Sequence, residues 1–108
     1  MKMISPVSEY SKHVVAEYGT LLFISGQESI DQDGRLMAPG DFTGQVKQVW
    51  NNMGAILEKA GGELDNVATM TVYTTERRWG RQFTAGRKEI FKKGFPASAF
   101  VEARKLRT

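Results

Sequence analysis

The chain has 108 residues, 41% hydrophobic and 25% charged, with 15 Lys/Arg against 12 Asp/Glu and no cysteine. That length suits one domain over residues 1–108 with a modest core, and the lack of cysteine excludes disulfides and thiolate chemistry. Met1-Lys2-Met3-Ile4-Ser5-Pro6 lacks the apolar core of a signal peptide and no run approaches the roughly 20 apolar residues of a membrane span, so a cytoplasmic protein with no membrane partner is expected.

Lys12-His13-Val14-Val15-Ala16-Glu17, then Tyr18-Gly19, then Thr20–Ser25 read as a β-hairpin, with β-branched strands and a glycine turn. Its second half, Leu21-Leu22-Phe23-Ile24-Ser25-Gly26-Gln27, puts four apolar residues in succession. A strand with one wet face alternates; this one does not, so burial on both faces is expected. A chain this short covers one face with its own helices and needs a second copy for the other. Gln27–Gly40 reads as a loop with turns at Asp33-Gly34 and Pro39-Gly40 and a short strand near Arg35-Leu36-Met37.

Val46, Val49, Trp50, Met53, Ile56, Leu57 and Ala60 then recur at helical spacing. Asp41 or Thr43 can cap that helix and Gly61-Gly62 can end it, with Lys47, Gln48, Asn51, Glu58 and Lys59 on the wetter side. Val67–Thr75 alternates as a strand, with Ala68, Met70 and Val72 on one face and Thr69, Thr71 and Tyr73 on the other. A second helix is predicted over 77–93, its inner stripe made by Trp79, Phe83, Gly86, Ile90 and Phe91. Pro96 stops it. Ala97–Leu106 reads as a last strand with Ser98, Phe100, Glu102 and Arg104 on one face. The order β-β-α-β-α-β predicts an α+β mixed sheet with both helices on one side.

Charge is uneven along the chain. Residues 1–53 carry 4 Lys/Arg against 6 Asp/Glu, a net −2, while residues 54–108 carry 11 against 6, a net +5. A basic second half can bind polyanions, but a solvated helix surface explains it more simply. His13, the one histidine, has no serine–acid constellation around it and reads as a hairpin residue. Asp31 and Asp33 lack the pattern of a calcium loop, so no metal is expected there. Trp50 and Trp79 lie on apolar stripes and read as core.

Ser25-Gly26-Gln27, Asp31, Gly34, Gln45, Asn52 with Ile56-Leu57 and Ala60-Gly61, Val67, Thr71-Val72-Tyr73, and Pro96-Ala97 with Val101-Glu102 and Leu106 form an ordered set that resembles the RidA/YjgF family. These proteins are also called reactive-intermediate deaminases or endoribonuclease L-PSP-like. The resemblance implies a chorismate-mutase-like subunit in a homotrimer with a barrel-like core and small-molecule sites in the inter-subunit clefts. Its deaminases hydrolyse enamines and imines such as 2-aminoacrylate to a keto acid and ammonia, with no cofactor. Such chemistry needs a guanidinium fork for the substrate carboxylate, a group that positions water, and an acid.

The chain departs from that pattern at each polar position. The family's guanidinium directly follows Pro-Ala, where this chain has Ser98. The family's pocket asparagine aligns with Phe83. The water-positioning glutamate lies on a strand beyond the Leu106 region, past the 108 residues. Arg104 shares a strand face with Ser98 but lies roughly 20 Å along it, at about 3.3 Å per residue. Whether a neighbouring subunit supplies Arg87 or Arg107 is left open. Ligand-binding candidates are Tyr10 or Tyr18, Ser25, Gly26, Phe83, Ser98 and Phe100, with no catalytic residue assigned. At Ser25-Gly26 two readings stand together: a cleft floor, and a glycine that lets the strand turn away. The expected protein is therefore a homotrimer that binds a small, less anionic ligand without the usual deaminase residues. An imine or enamine deaminase with a non-standard anchor is the alternative. RNA binding or cleavage through the basic second helix is weaker, since that helix offers no stacking platform.

Overall fold

In a computed structural model of the chain, residues 19–106 are described, together with the backbone of strands β1 (Lys2–Val7) and β2 (Tyr10–Ala16). Their elements follow the expected order: β1, β2, helix α1 (Phe42–Lys59), β3 (Thr69–Thr74), helix α2 (Gly80–Gly86) and β4 (Ala97–Glu102). No described helix is long and apolar enough to cross a membrane. Two compact units account for the contacts, one formed by residues 1–20 and 64–107, the other by residues 21–63.

In the first unit, β1 and β2 pair antiparallel, with Lys2 opposite Ala16 and Val7 opposite Tyr10. The register shifts between Ile4 and Pro6, where a proline without an N–H is tolerated at a bulge. This hairpin lies one strand earlier than the sequence suggests: β2 takes β1 as its partner, and the Leu21 stretch is not part of the hairpin. β3 and β4 pair parallel, from Thr69 opposite Ala97 to Thr74 opposite Glu102. Ala97 N–H to Ala68 O (3.0 Å) and Ala103 N–H to Thr74 O (2.7 Å) continue the ladder at its two ends. Parallel neighbours require a crossover, and α2 supplies it. β2 approaches β4 without laddering to it. The expected alternation along β3 holds, with Met70 and Val72 half-buried and Thr69, Thr71 and Tyr73 exposed.

The second helix is shorter and more broken than its periodicity suggests. A 3₁₀ turn over Arg77–Trp79 leads into α2, and another over Arg87–Glu89 follows it. Glycines at 80 and 86 weaken the helix, each by about 1 kcal/mol against alanine. Phe83 and Phe91 are buried as expected, whereas Trp79 is half-buried and carries the Arg78 guanidinium 4.8 Å from its ring centroid. Arg78 also pairs with Glu76. Asp65 Oδ1 accepts from the N–H groups of Lys92 (2.9 Å) and Lys93 (3.2 Å), fixing the chain just before buried Pro96.

The other unit is built on α1, which follows its sequence signals. Asp41 is its N-cap, with Oδ1 accepting from Gly44 N–H at 3.1 Å. A Cβ at Gly44 would sit 2.5 Å from Asp41 Oδ2 and 2.8 Å from Ala38 Cβ, so this cap needs glycine there. At the far end Gly61 takes φ +84°, while Gly61 N–H donates to Glu58 O (3.1 Å) and Gly62 N–H to Leu57 O (2.8 Å). These two bonds are the Schellman ending that a left-handed glycine permits. Trp50 and Leu57 are buried, while Ala60, expected on the apolar stripe, is exposed.

The stretch Leu21–Gln27 departs most from expectation. Residues 20–28 form no strand, and Leu21 (75%) and Phe23 (88%) face solvent. Apolarity on both faces specifies burial but names no ladder partner, and a strand exists only where its N–H and C=O groups are paired. Arg35-Leu36-Met37 likewise gives only a bridge between Ile30 and Leu36.

Candidate functional site

Strand alternation sends Ser98, Phe100 and Glu102 of β4 to one face. That face meets the α2 segment within the first unit. Glu102 Oε1 accepts from Arg77 N–H at 2.8 Å. The rings of Phe100 and Phe83 lie 5.7 Å apart at 48°, a tilted pair worth about 0.5–1.5 kcal/mol beyond its buried area. At Ser98, Oγ accepts a 2.8 Å hydrogen bond from Arg87 Nη1.

Sequence reasoning left open whether a neighbouring subunit lends Arg87 to the cleft, and did not foresee its contact with Ser98 inside one chain. Only 2% of the Arg87 surface is exposed. Its guanidinium carbon lies 5.7 Å from the Phe83 ring centroid and 5.3 Å from that of Phe95. A cation within about 6 Å of an aromatic ring is attracted to it, more strongly once water is removed. A signal was present: Phe83, Arg87 and Phe91 recur every four residues, so the arginine falls on the buried stripe.

Ser98 itself is exposed, and among the described residues its hydroxyl proton is committed to no acceptor. In the same unit Arg77, Gly80, Arg81, Thr84, Ala85 and Phe100 line an open groove of about 640 Å³, of which Ser98 is not part. Two exposed arginines rim this groove and Phe100 forms part of its wall.

The remaining candidates are dispersed. Ser25 and Gly26 are exposed in the irregular stretch of the other unit, where Gln27 Nε2 donates to Ser25 O at 3.1 Å. Tyr10 opens β2, its side chain outside the described residues, as Tyr18 and Arg107 are altogether. The turn reading of Asp33-Gly34 holds: Asp31 Oδ1 accepts from Asp33 N–H and Arg35 N–H, both at 2.9 Å. Gln48, expected on the wet side of α1, instead helps to hold the loop that follows Gln27. Its Nε2 donates to Ile30 O (3.4 Å) and Asn52 Oδ1 (2.9 Å). Asn52 Nδ2 in turn donates to Glu28 O (3.0 Å) and Ile30 O (2.9 Å). Ser29 is buried and donates to Met37 O at 2.7 Å.

An antiparallel hairpin, a parallel β-α-β unit and one long capped helix define a small α+β protein. The chain belongs to the Endoribonuclease L-PSP family, the RidA/YjgF group of the resemblance, whose family model matches residues 1–108. A RutC family protein of Pyrococcus horikoshii is 36% identical over 101 residues, covering 94% of this chain and 79% of that protein. The human 2-iminobutanoate/2-iminopropanoate deaminase is 30% identical over 100 residues, covering 93% of this chain and 72% of the enzyme. The crystal structure of YyfA from Yersinia pestis, a Rid-family protein described as of unknown function, superposes with a TM-score of 0.77 at 28% identity. That match covers 100% of this chain and 90% of YyfA.

Ser98→Arg, which restores the family's residue, is expected to destabilise the protein. It removes the acceptor of Arg87 Nη1 and brings a second cation beside the first. Leaving a buried donor unsatisfied costs about 1–3 kcal/mol. A urea midpoint equal to or above that of the original chain would show that the new side chain swings clear of Arg87.

Proposed function

We propose that this is a single RidA-like domain that assembles as a cytoplasmic homotrimer and binds a small metabolite in the clefts between subunits. Imine and enamine hydrolysis is at most a weak side activity. The observation that carries this reading is the make-up of position 98: an exposed serine hydroxyl follows Pro96-Ala97, and the guanidinium beside it, Arg87, is buried. A bidentate grip requires both guanidinium edges to meet the carboxylate directly, and a buried Arg87 offers an arriving substrate no such edge. The exposed Leu21 and Phe23 in one unit, and the exposed Tyr73 in the other, support self-association. Large apolar side chains left exposed favour being covered.

The alternative is a deaminase with Arg87 as a displaced anchor. It is favoured by the 2.8 Å approach of Arg87 to Ser98 and by the activity in the human relative's name. The two readings separate on incubation with freshly generated 2-iminobutanoate while 2-oxobutanoate release is followed. The expected acceleration over spontaneous hydrolysis is below about tenfold, far short of the ~10⁶-fold at the lower end for enzymes. Turnover approaching that range would establish the deaminase instead.

A further inference from the structure

We propose that the groove along α2 binds a phosphate monoester of a small aromatic or apolar molecule. Its dianionic head would lie between the Arg77 and Arg81 side chains, and its body on the Phe100 ring. The groove lies within one unit of a single chain and Ser98 does not line it. The inference therefore goes beyond the metabolite reading above and stands whether or not that reading holds.

The case begins with two cations that the chain itself leaves unmatched. Arg77 and Arg81 are exposed, four residues apart where a 3₁₀ turn runs into α2, and both line the groove. Residues at that helical spacing share a face, with about 5–6 Å between their Cβ atoms. Among the described residues neither guanidinium is paired with a carboxylate. The acids closest to them in the fold are engaged: Glu76 pairs with Arg78, and Glu102 Oε1 accepts from the Arg77 N–H at 2.8 Å. Like charges one turn apart destabilise a helix, and an anion shared between them relieves that repulsion. Guanidinium groups grip phosphate oxygens two at a time, so a pair of them matches a doubly charged monoester better than a singly charged diester. Thr84, half-buried, adds a hydroxyl to the lining.

Gly80 explains why the floor of the groove is open. Its φ of −58° and ψ of −44° are ordinary helix, available to any residue, and glycine weakens a helix relative to alanine. No close approach demands it either, because a Cβ there would lie 3.8 Å from the Phe100 ring, an ordinary contact. What the missing side chain does is leave that ring uncovered; a longer residue at position 80 would lie across it. Phe100 is steadied from its other contact, the buried Phe83 ring at 5.7 Å. The groove of about 640 Å³ falls within the range of small-molecule sites, about 300–1,000 Å³. That is far more room than a bare phosphate fills, and the apolar floor suits an organic body attached to it.

The test is titration followed by amide NMR shifts, with phenyl phosphate, methyl phenyl phosphate and inorganic phosphate as probes. It is run at about pH 8, where the monoester is a dianion. Phenyl phosphate is expected to bind about tenfold more tightly than either of the others, the scale of one charged hydrogen bond or one buried ring face. Arg77→Gln and Arg81→Gln should each weaken it by about tenfold. Lys105→Gln removes the same charge from an exposed position outside the groove, and should leave affinity within about twofold because distant surface charge is screened. Gly80→Leu should abolish binding by covering the ring, whereas Gly80→Ala, with its Cβ in ordinary contact, should retain it. Equal affinity for monoester and diester overturns the proposal and points instead to a nucleic-acid backbone. Equal affinity for inorganic phosphate, or equal weakening by Lys105→Gln, reduces the groove to general charge attraction and overturns it too. Failure of phenyl phosphate to bind, or binding untouched by Gly80→Leu, refutes it outright.

Discussion

Arg87→Ala is expected to lower the unfolding free energy by about 3 kcal/mol, a Tm loss of roughly 10–20 °C for a chain of this size. The side chain is buried against two phenylalanine rings and bonds Ser98 Oγ. Truncation removes the packed stem as well as the charge, and leaves a cavity beside the two rings. Arg87→Met separates the two contributions. Methionine refills most of the space with a flexible apolar chain, and replacing a buried charge by a well-packed hydrophobe is often neutral or stabilising. The Met variant should therefore stay within about 1 kcal/mol of the original chain in urea unfolding followed by circular dichroism. Equal losses in both variants would mean that the charge, rather than packing, dominates stability. A loss below about 0.5 kcal/mol in Arg87→Ala, the range of ordinary surface substitutions, would mean that the side chain is not packed as described.

The position of Arg87 also marks where the sequence stopped being readable. Helix α1 was legible because several local signals agree: an apolar stripe, an aspartate cap and a glycine ending. Each acts within a few residues, so no tertiary knowledge is needed. The β3 alternation and the shared face of Ser98, Phe100 and Glu102 followed from the two-residue period alone. Arg87 obeys the same periodicity as Phe83 and Phe91, but the two rings and the Ser98 hydroxyl that suit a buried cation come together only in the fold. The hairpin failed for a different reason. Lys12–Ala16 is a good strand with two possible neighbours, and composition does not say which one it takes. The site itself was half legible. Pro96-Ala97 fixed attention on position 98, but what stands behind Ser98 depends on eleven residues of intervening chain folding back. Asn52 was recognisable only as part of a pattern. Its physical task, holding the carbonyls of Glu28 and Ile30, emerges with the loop in place.

Phe23→Asp is expected to convert the assembled protein to single chains while leaving each folded. In solution, light scattering on the original chain should give about three times its 12.1 kDa mass, and the variant should give one. Phe23 is 88% exposed within the chain, so its replacement removes little that holds the subunit's own fold together, and the circular dichroism of the two proteins should match. In an assembly, the same side chain contributes about 2–3 kcal/mol of apolar burial per copy. An aspartate buried there without a partner would cost several kcal/mol more. Summed over equivalent contacts and converted at 1.4 kcal/mol per tenfold, such a penalty moves dissociation by many orders of magnitude. Lys47→Asp, on the exposed side of α1, provides the contrast and should leave the mass unchanged. If the original chain already scatters as one subunit, or the Phe23 variant keeps the mass of three, the run Leu21–Ile24 is not what joins the copies. Four consecutive apolar residues would then owe their hydrophobicity to some contact other than self-association.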